Sequence, residues 1–102
     1  MDKQDLIDRF VFAQFAEACR CLEEGIASAS DIDLAMRTGA GLKVGPLAWA
    51  DSIGLDAVTA KLKMLAAKHG DRFAPPRLLE QMVADNRLGM KTGRGFFEYS
   101  SQ

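Results

Sequence analysis

Residues 38–56, Thr-Gly-Ala-Gly-Leu-Lys-Val-Gly-Pro-Leu-Ala-Trp-Ala-Asp-Ser-Ile-Gly-Leu-Asp, separate two helical stretches of the chain. They hold four of its nine glycines, one of its three prolines and its only tryptophan. Gly39 and Gly41 fall where one helical pattern stops, and Gly45-Pro46 where the next would start. That is the usual asymmetry of glycine past a helix end and proline at a helix beginning. Glycine also permits close backbone approach to a ligand, because no Cβ intervenes. Punctuation accounts for the glycines. It does not account for the apolar residues beside them, Leu42, Val44, Leu47 and Trp49.

Working outward, residues 4–24 carry the longest helical pattern. Asp5 and Asp8 lie early, where acids complement the positive helix end, and Gly25 comes next as a stop. At about 100° per residue, Ile7, Phe10, Val11, Phe12, Phe15, Ala18, Cys19, Cys21 and Leu22 spread over roughly half the circumference. Gln14 and Asp8 stand inside that arc, Asp8 deep in it. A carboxylate there either bonds nearby backbone or a basic side chain, or faces a cleft, because burying it alone costs several kcal/mol. The arc is wider than one small neighbour covers. Some of Phe10, Phe12 and Phe15 are therefore expected to face water and to support a two-fold dimer through residues 6–22 and the 42–49 loop. The competing expectation is a monomer in which the short helix after Pro46 folds over that side.

A second helix, about 30–38, is expected to start from Ser30 with Asp33 three residues on, a variant capping box, and to bury Ile32, Leu34, Ala35 and Met36. Pro46 opens a short helix to about Ile53. After Gly54 a longer one runs to about Lys68, with Leu55, Val58, Leu62 and Leu65 at the spacing of one buried face. A last helix, about 76–86, places Pro76 in its first turn and Leu78, Leu79, Met82 and Val83 in the core. The tail from Leu88 to Tyr99 has three glycines and cannot continue a helix comfortably. Arg87, Lys91 and Arg94 make it basic, which reads as a solvated turn and only weakly as an anion site.

One domain of 102 residues, 48% apolar and 26% charged, is an ordinary globular composition. A net charge of -1 argues against nucleic acid or acidic membranes as partners. Charges interrupt every long apolar run, so no membrane span is expected. Cys19 and Cys21 are two apart on a helix, point to different faces and read as buried thiols of a reducing compartment, which together with the missing span places the chain in the cytoplasm or an organelle matrix. The single histidine, His69, reads as a surface or helix-end residue, and no metal-ligand spacing occurs. No glycine-rich dinucleotide fingerprint or phosphate loop is present, and no nucleophile stands with His69, so the chain is expected to hold no metal and no cofactor of its own and no complete catalytic centre.

Four segments carry a specific resemblance. They are Asp8-Arg9 with Glu17-Ala18 and Leu22-Glu-Glu-Gly25; Ala29-Ser-Asp-Ile-Asp-Leu-Ala-Met36; Gly39-Ala-Gly-Leu-Lys-Val-Gly-Pro46 with Asp51 and Gly54-Leu-Asp56; and Leu88-Gly-Met-Lys-Thr-Gly-Arg-Gly-Phe-Phe97. In this order they resemble the C-terminal helical domain of the 3-hydroxyacyl-CoA dehydrogenases, from Leu6 to Tyr99. The resemblance implies an all-α fold of about five helices, like the C-terminal domain of 6-phosphogluconate dehydrogenase. It also implies a role in oxidising 3-hydroxyacyl-CoA in fatty-acid β-oxidation or aromatic degradation. In such enzymes a preceding nucleotide-binding domain holds NAD and the catalytic histidine and glutamate, while the helical domain closes the cleft, contributes to the acyl-CoA pocket and pairs the subunits. The family's active-site asparagine corresponds to Asp8, followed by Arg9, and the acyl side corresponds to Leu42, Lys43, Val44 and Pro46. Asp8-Arg9 and Arg20-Cys-Leu-Glu-Glu-Gly25 resemble in particular the second helical copy of tandem-domain members, a structural partner of the first. Lys43 stands where the family commonly has proline. The alternative implied function is a separate helical interaction module without a catalytic role.

Overall fold

A computed structural model describes residues 2–99. Five α-helices occur in order: α1 (Lys3–Glu23), α2 (Ala29–Gly39), α3 (Pro46–Ile53), α4 (Leu55–His69) and α5 (Arg77–Ala84). Short 3-10 turns occur at Asp71–Phe73 and Met90–Thr92. The fold is all-α, with β-type pairing limited, among the described residues, to isolated bridges joining Gly89 to Arg94 and Arg94 to Glu98.

The core forms where α1, α3, α4 and α5 converge, on Phe15, Leu47, Leu55, Leu62, Phe73 and Leu79, all almost wholly buried. The expected stripe of α4 is the buried one, joined by Thr59, whose hydroxyl donates to the Leu55 carbonyl. Aromatic contacts bind the long helix to its neighbours. Phe12 meets Trp49 edge-on at 5.3 Å between ring centres, and Phe15 meets Phe96 at 6.0 Å. The breadth of the α1 arc is thereby explained, because α2, α3, α5 and the turn at Asp71–Phe73 all pack against it. Of Phe10, Phe12 and Phe15, some of which are expected to face water, Phe10 does so at 71% exposure, while Phe12 and Phe15 are buried.

Other expectations change in detail. Asp2, outside the expected helix, caps α1 by accepting from Asp5 N at 2.8 Å. Ser28 rather than Ser30 caps α2, accepting from Asp31 N at 3.1 Å. Asp33 belongs to no capping box. It is buried, and of the expected α2 face only Ile32 accompanies it, while Leu34 and Ala35 are exposed and Met36 is half-buried. Pro76 precedes α5 as its cap residue instead of occupying the first turn. Cys19 is buried and Cys21 only half so, both as free thiols. Burial pushes the Cys19 thiol up to about 12, with the Glu23 charge adding to it. His69 ends α4, as expected, but is half-buried, its Nε2 3.6 Å from Asp5 Oδ2.

Candidate functional site

Two buried carboxylates organise the irregular segments. Asp33, on α2, accepts from Leu47 N and Ala48 N, each at 2.9 Å, and so caps the first turn of α3 from fourteen residues upstream. A carboxylate there satisfies two backbone donors that a helix start leaves free and faces the positive end of the helix dipole. Gly45 makes room for it, since a Cβ at that position would collide with the Asp33 carboxyl group.

Asp51, on α3, does the same for the tail. Its Oδ1 accepts from Phe96 N at 3.0 Å, and its Oδ2 from Phe97 N at 3.1 Å and from the Tyr99 hydroxyl at 2.7 Å. Gly95 lets the tail backbone approach, because a Cβ there would meet the same carboxylate. Leu55 N donating to Leu88 O at 2.9 Å and Lys91 Nζ on Asp56 at 2.7 Å complete the attachment of the tail to α4. Burial, and then the bond to Asp51, push the Tyr99 hydroxyl well above its usual range.

The residues singled out as a substrate side fall into separate places. Leu42, Val44 and Pro46 come together with Val11, Gln14 and Trp49 around a recess of about 170 Å3 between α1 and the loop. Gln14, the polar interruption in the α1 arc, thus lies beside the apolar loop. Its place three residues after Val11 is the sequence signal for that pairing. Arg9 lines a different recess of about 250 Å3 with Leu6, Phe10, Ala13, Arg72 and Phe73. Lys43 is exposed and lines neither.

Asp8 faces α4. Its Oδ2 lies 2.9 Å from Lys61 Nζ and its Oδ1 accepts from Gln4 Nε2 at 2.9 Å. The bond to Lys61 holds its carboxyl below the usual range, against a smaller opposing effect of burial. With both oxygens engaged, Asp8 is set as a helix-to-helix tie. Among the described residues no group of three His, Cys, Asp or Glu side chains forms a metal-binding cluster. No helix among them is long and apolar enough to cross a membrane.

Residues 6–99 match the family model for the 3-hydroxyacyl-CoA dehydrogenase C-terminal domain. The chain belongs to this family. A probable 3-hydroxyacyl-CoA dehydrogenase of Caenorhabditis elegans is 43% identical over 96 residues, covering 92% of this chain and 32% of the relative. A 3-hydroxybutyryl-CoA dehydrogenase of Clostridioides difficile is 40% identical, covering 93% of this chain and 34% of the relative. Among solved structures, an (S)-3-hydroxybutyryl-CoA dehydrogenase from Ralstonia eutropha superposes with a TM-score of 0.88 at 41% identity, over 92% of this chain and 34% of that one. A 3-hydroxybutyryl-CoA dehydrogenase from Escherichia coli superposes at 0.85 and 35% identity, over 94% of this chain and 21% of that one. The chain spans about a third of the length of the curated relatives it matches. In this dehydrogenase-type helical domain, the motifs Asp33 with Gly45-Pro46 and Asp51 with Gly95-Phe-Phe97 are thus the two carboxylate anchors.

Proposed function

We propose that this chain is the helical domain of an NAD-dependent 3-hydroxyacyl-CoA dehydrogenase, which oxidises 3-hydroxyacyl-CoA to 3-oxoacyl-CoA, and that it is inactive alone. The observation that carries the reading is the family match across residues 6–99, at about a third of the length of relatives named for that activity. Hydride transfer needs a bound nicotinamide and an acid-base group in reach of the substrate hydroxyl. In this reading both come from a nucleotide-binding domain, and the chain as a single helical domain contributes the wall around Leu42, Val44, Pro46 and Gln14 on which an acyl chain would rest. Lys43, exposed on the same loop, would supply charge near its edge, whereas Arg9 lines the other recess.

Asp8 has a structural role in this proposal, because Lys61 and Gln4 occupy the oxygens that would otherwise orient a catalytic histidine. That supports the place of a second helical copy, packed against a first one. The Escherichia coli neighbour, of which this chain would be about a fifth, is long enough to hold two. The partner surface is the part of α1 left bare, Leu6, Ile7 and Phe10, whether it meets another copy of this chain or a companion domain. We place the protein in the cytoplasm with the soluble enzymes of this chemistry.

The test is an assay of NADH formation from a 3-hydroxybutyryl-CoA substrate. The purified chain should show none under conditions in which the Clostridioides difficile relative shows turnover. Turnover by the chain alone would overturn the proposal. Self-association is read separately by sedimentation. A species of twice 11.1 kDa that returns to monomer on Phe10→Asp supports pairing through α1, whereas a single 11.1 kDa species at tens of micromolar removes it.

A further inference from the structure

The three cations of the tail have different fates. Lys91 pairs with Asp56, and Arg94 Nε lies 3.8 Å from Glu98 Oε1. Arg87 has no carboxylate partner among the described residues. Its Nη2 reaches only the Gly95 carbonyl, at 3.4 Å, and its Nε is buried without any hydrogen-bond partner. A guanidinium N–H withdrawn from water and left unbonded is costly, and native structures rarely keep one without a reason.

Arg87 lines a cavity of about 570 Å3 between the end of α1, α5 and the tail. Leu22, Leu78, Met82 and Phe96 form its apolar wall, and Arg77 brings a second guanidinium from the first turn of α5. One carboxylate, Glu23, is present, and its Oε2 is engaged in accepting from Leu78 N at 2.7 Å. The cavity therefore presents two cations to one anion above a hydrocarbon surface, at a volume ordinary for small-molecule sites.

We propose that this cavity binds an organic monocarboxylate with an apolar body, the carboxylate bridging Arg87 and Arg77 and the hydrocarbon lying on Leu22, Leu78, Met82 and Phe96. A carboxylate offers Arg87 the anionic partner it lacks and forms charge-assisted bonds with guanidinium donors of both arginines. A neutral lipid would leave the excess of positive charge uncompensated. A polyanion would meet Glu23 and would have no use for the apolar wall. The site shares no lining residue with the recess around Leu42 and Trp49, so it stands independently of the proposed dehydrogenase role.

The probes are sodium octanoate, 1-octanol and sodium sulfate, added to the full chain and followed by amide and methyl NMR shifts. Octanoate should give saturable shifts at Leu22, Leu78, Met82 and Phe96, which octanol and sulfate do not reproduce. Arg87→Gln, which removes the guanidinium charge but keeps a polar side chain, should weaken octanoate by about tenfold or more, the value of one charge-assisted bond. Arg77 is exposed, so Arg77→Gln should fold unchanged and weaken binding in the same direction, which keeps the test intact should Arg87→Gln fail to fold. The proposal is overturned by an absence of octanoate shifts at millimolar concentration. It is equally overturned by shifts confined to other surfaces, by equal binding of octanol, or by octanoate affinity unchanged in Arg77→Gln.

Discussion

The loop at 40–45 and the tail at 88–99 are both rich in glycine, both outside the long helices and both held by one buried aspartate, yet they end up differently. Asp33 binds two backbone donors at the start of α3 and leaves the loop before it open, with Val44 54% exposed. Asp51 binds three donors within the tail itself and brings Phe96 against Phe15. The same side chain type therefore orients a helix in one place and closes a segment onto the core in the other. The open segment keeps apolar side chains available to a ligand or partner, while the closed one has become part of the core.

The comparison is open to test, and the largest effect is expected at Asp51. Asp51→Ala strips three donors of their acceptor and should cost about 3 to 5 kcal/mol in urea unfolding, with loss of the Phe96 contacts. A loss below about 1 kcal/mol would show that the tail is held by its apolar contacts instead. Asp33→Ala removes one cap and should cost about 2 kcal/mol while leaving the tail's NMR shifts unchanged. Equal costs for the two would erase the distinction between the anchors.

Next in size is Tyr99→Phe, expected at about 1 kcal/mol for the lost bond to Asp51. The hydroxyl is raised in the fold above its unfolded value of 10.0. The folded tyrosine thus keeps a proton that the unfolded chain has lost, so its contribution is complete below pH 10.0 and is lost as pH rises beyond it. Cys19 acts in the same direction between 9.0 and about 12, so the alkaline titration belongs in a Cys19→Ala background. There, Tyr99→Phe should flatten the decline in stability, and an unchanged slope would detach Tyr99 from the closure.

Asp8 lies outside both segments and gives the smallest effect. Because the Lys61 side chain is 35% exposed, water can take over when Asp8 is removed, and Asp8→Ala should cost about 1 kcal/mol or less. Since its carboxyl is lowered below 3.8, the contribution is present above that pH and fades below it. A loss near that of Asp51→Ala in thermal unfolding would mean that the α1–α4 tie, not the tail, limits stability.

Glycine and proline positions suffice to read the helix order, because the backbone freedom and the fixed φ they signal are local properties. The four-residue stripe of α4 is equally legible, since a buried face repeats at helical spacing whatever covers it. Asp33 is not, because Ser30 and Asp33 have the spacing of a local cap, while the real partners of Asp33, Leu47 and Ala48, are distant in sequence. A helical wheel likewise gives the width of the α1 arc but not its cover, so the burial of Phe12 by Trp49 cannot be read from it. Of the site, the loop residues Leu42, Val44 and Pro46 do assemble, whereas Arg9 points to another recess because Arg9 and Gln14 stand on different sides of α1. The basic tail is uniform in sequence. Only the packing distinguishes Arg87 from Lys91 and Arg94.

The bonds from Phe96, Phe97 and Tyr99 to Asp51 span 45 residues or more, so they also set an order of events during synthesis. Helices α1 to α4 can form as they leave the ribosome, but until Phe97 emerges the α3 carboxylate has no partners and must stay hydrated. A chain terminated before Phe96 would leave this carboxylate hydrated and Phe15 without its Phe96 contact, and should be more open to proteolysis. Burial of the α3 carboxylate thereby waits on residues 96–99, which ties closure of the core to the synthesis of that segment.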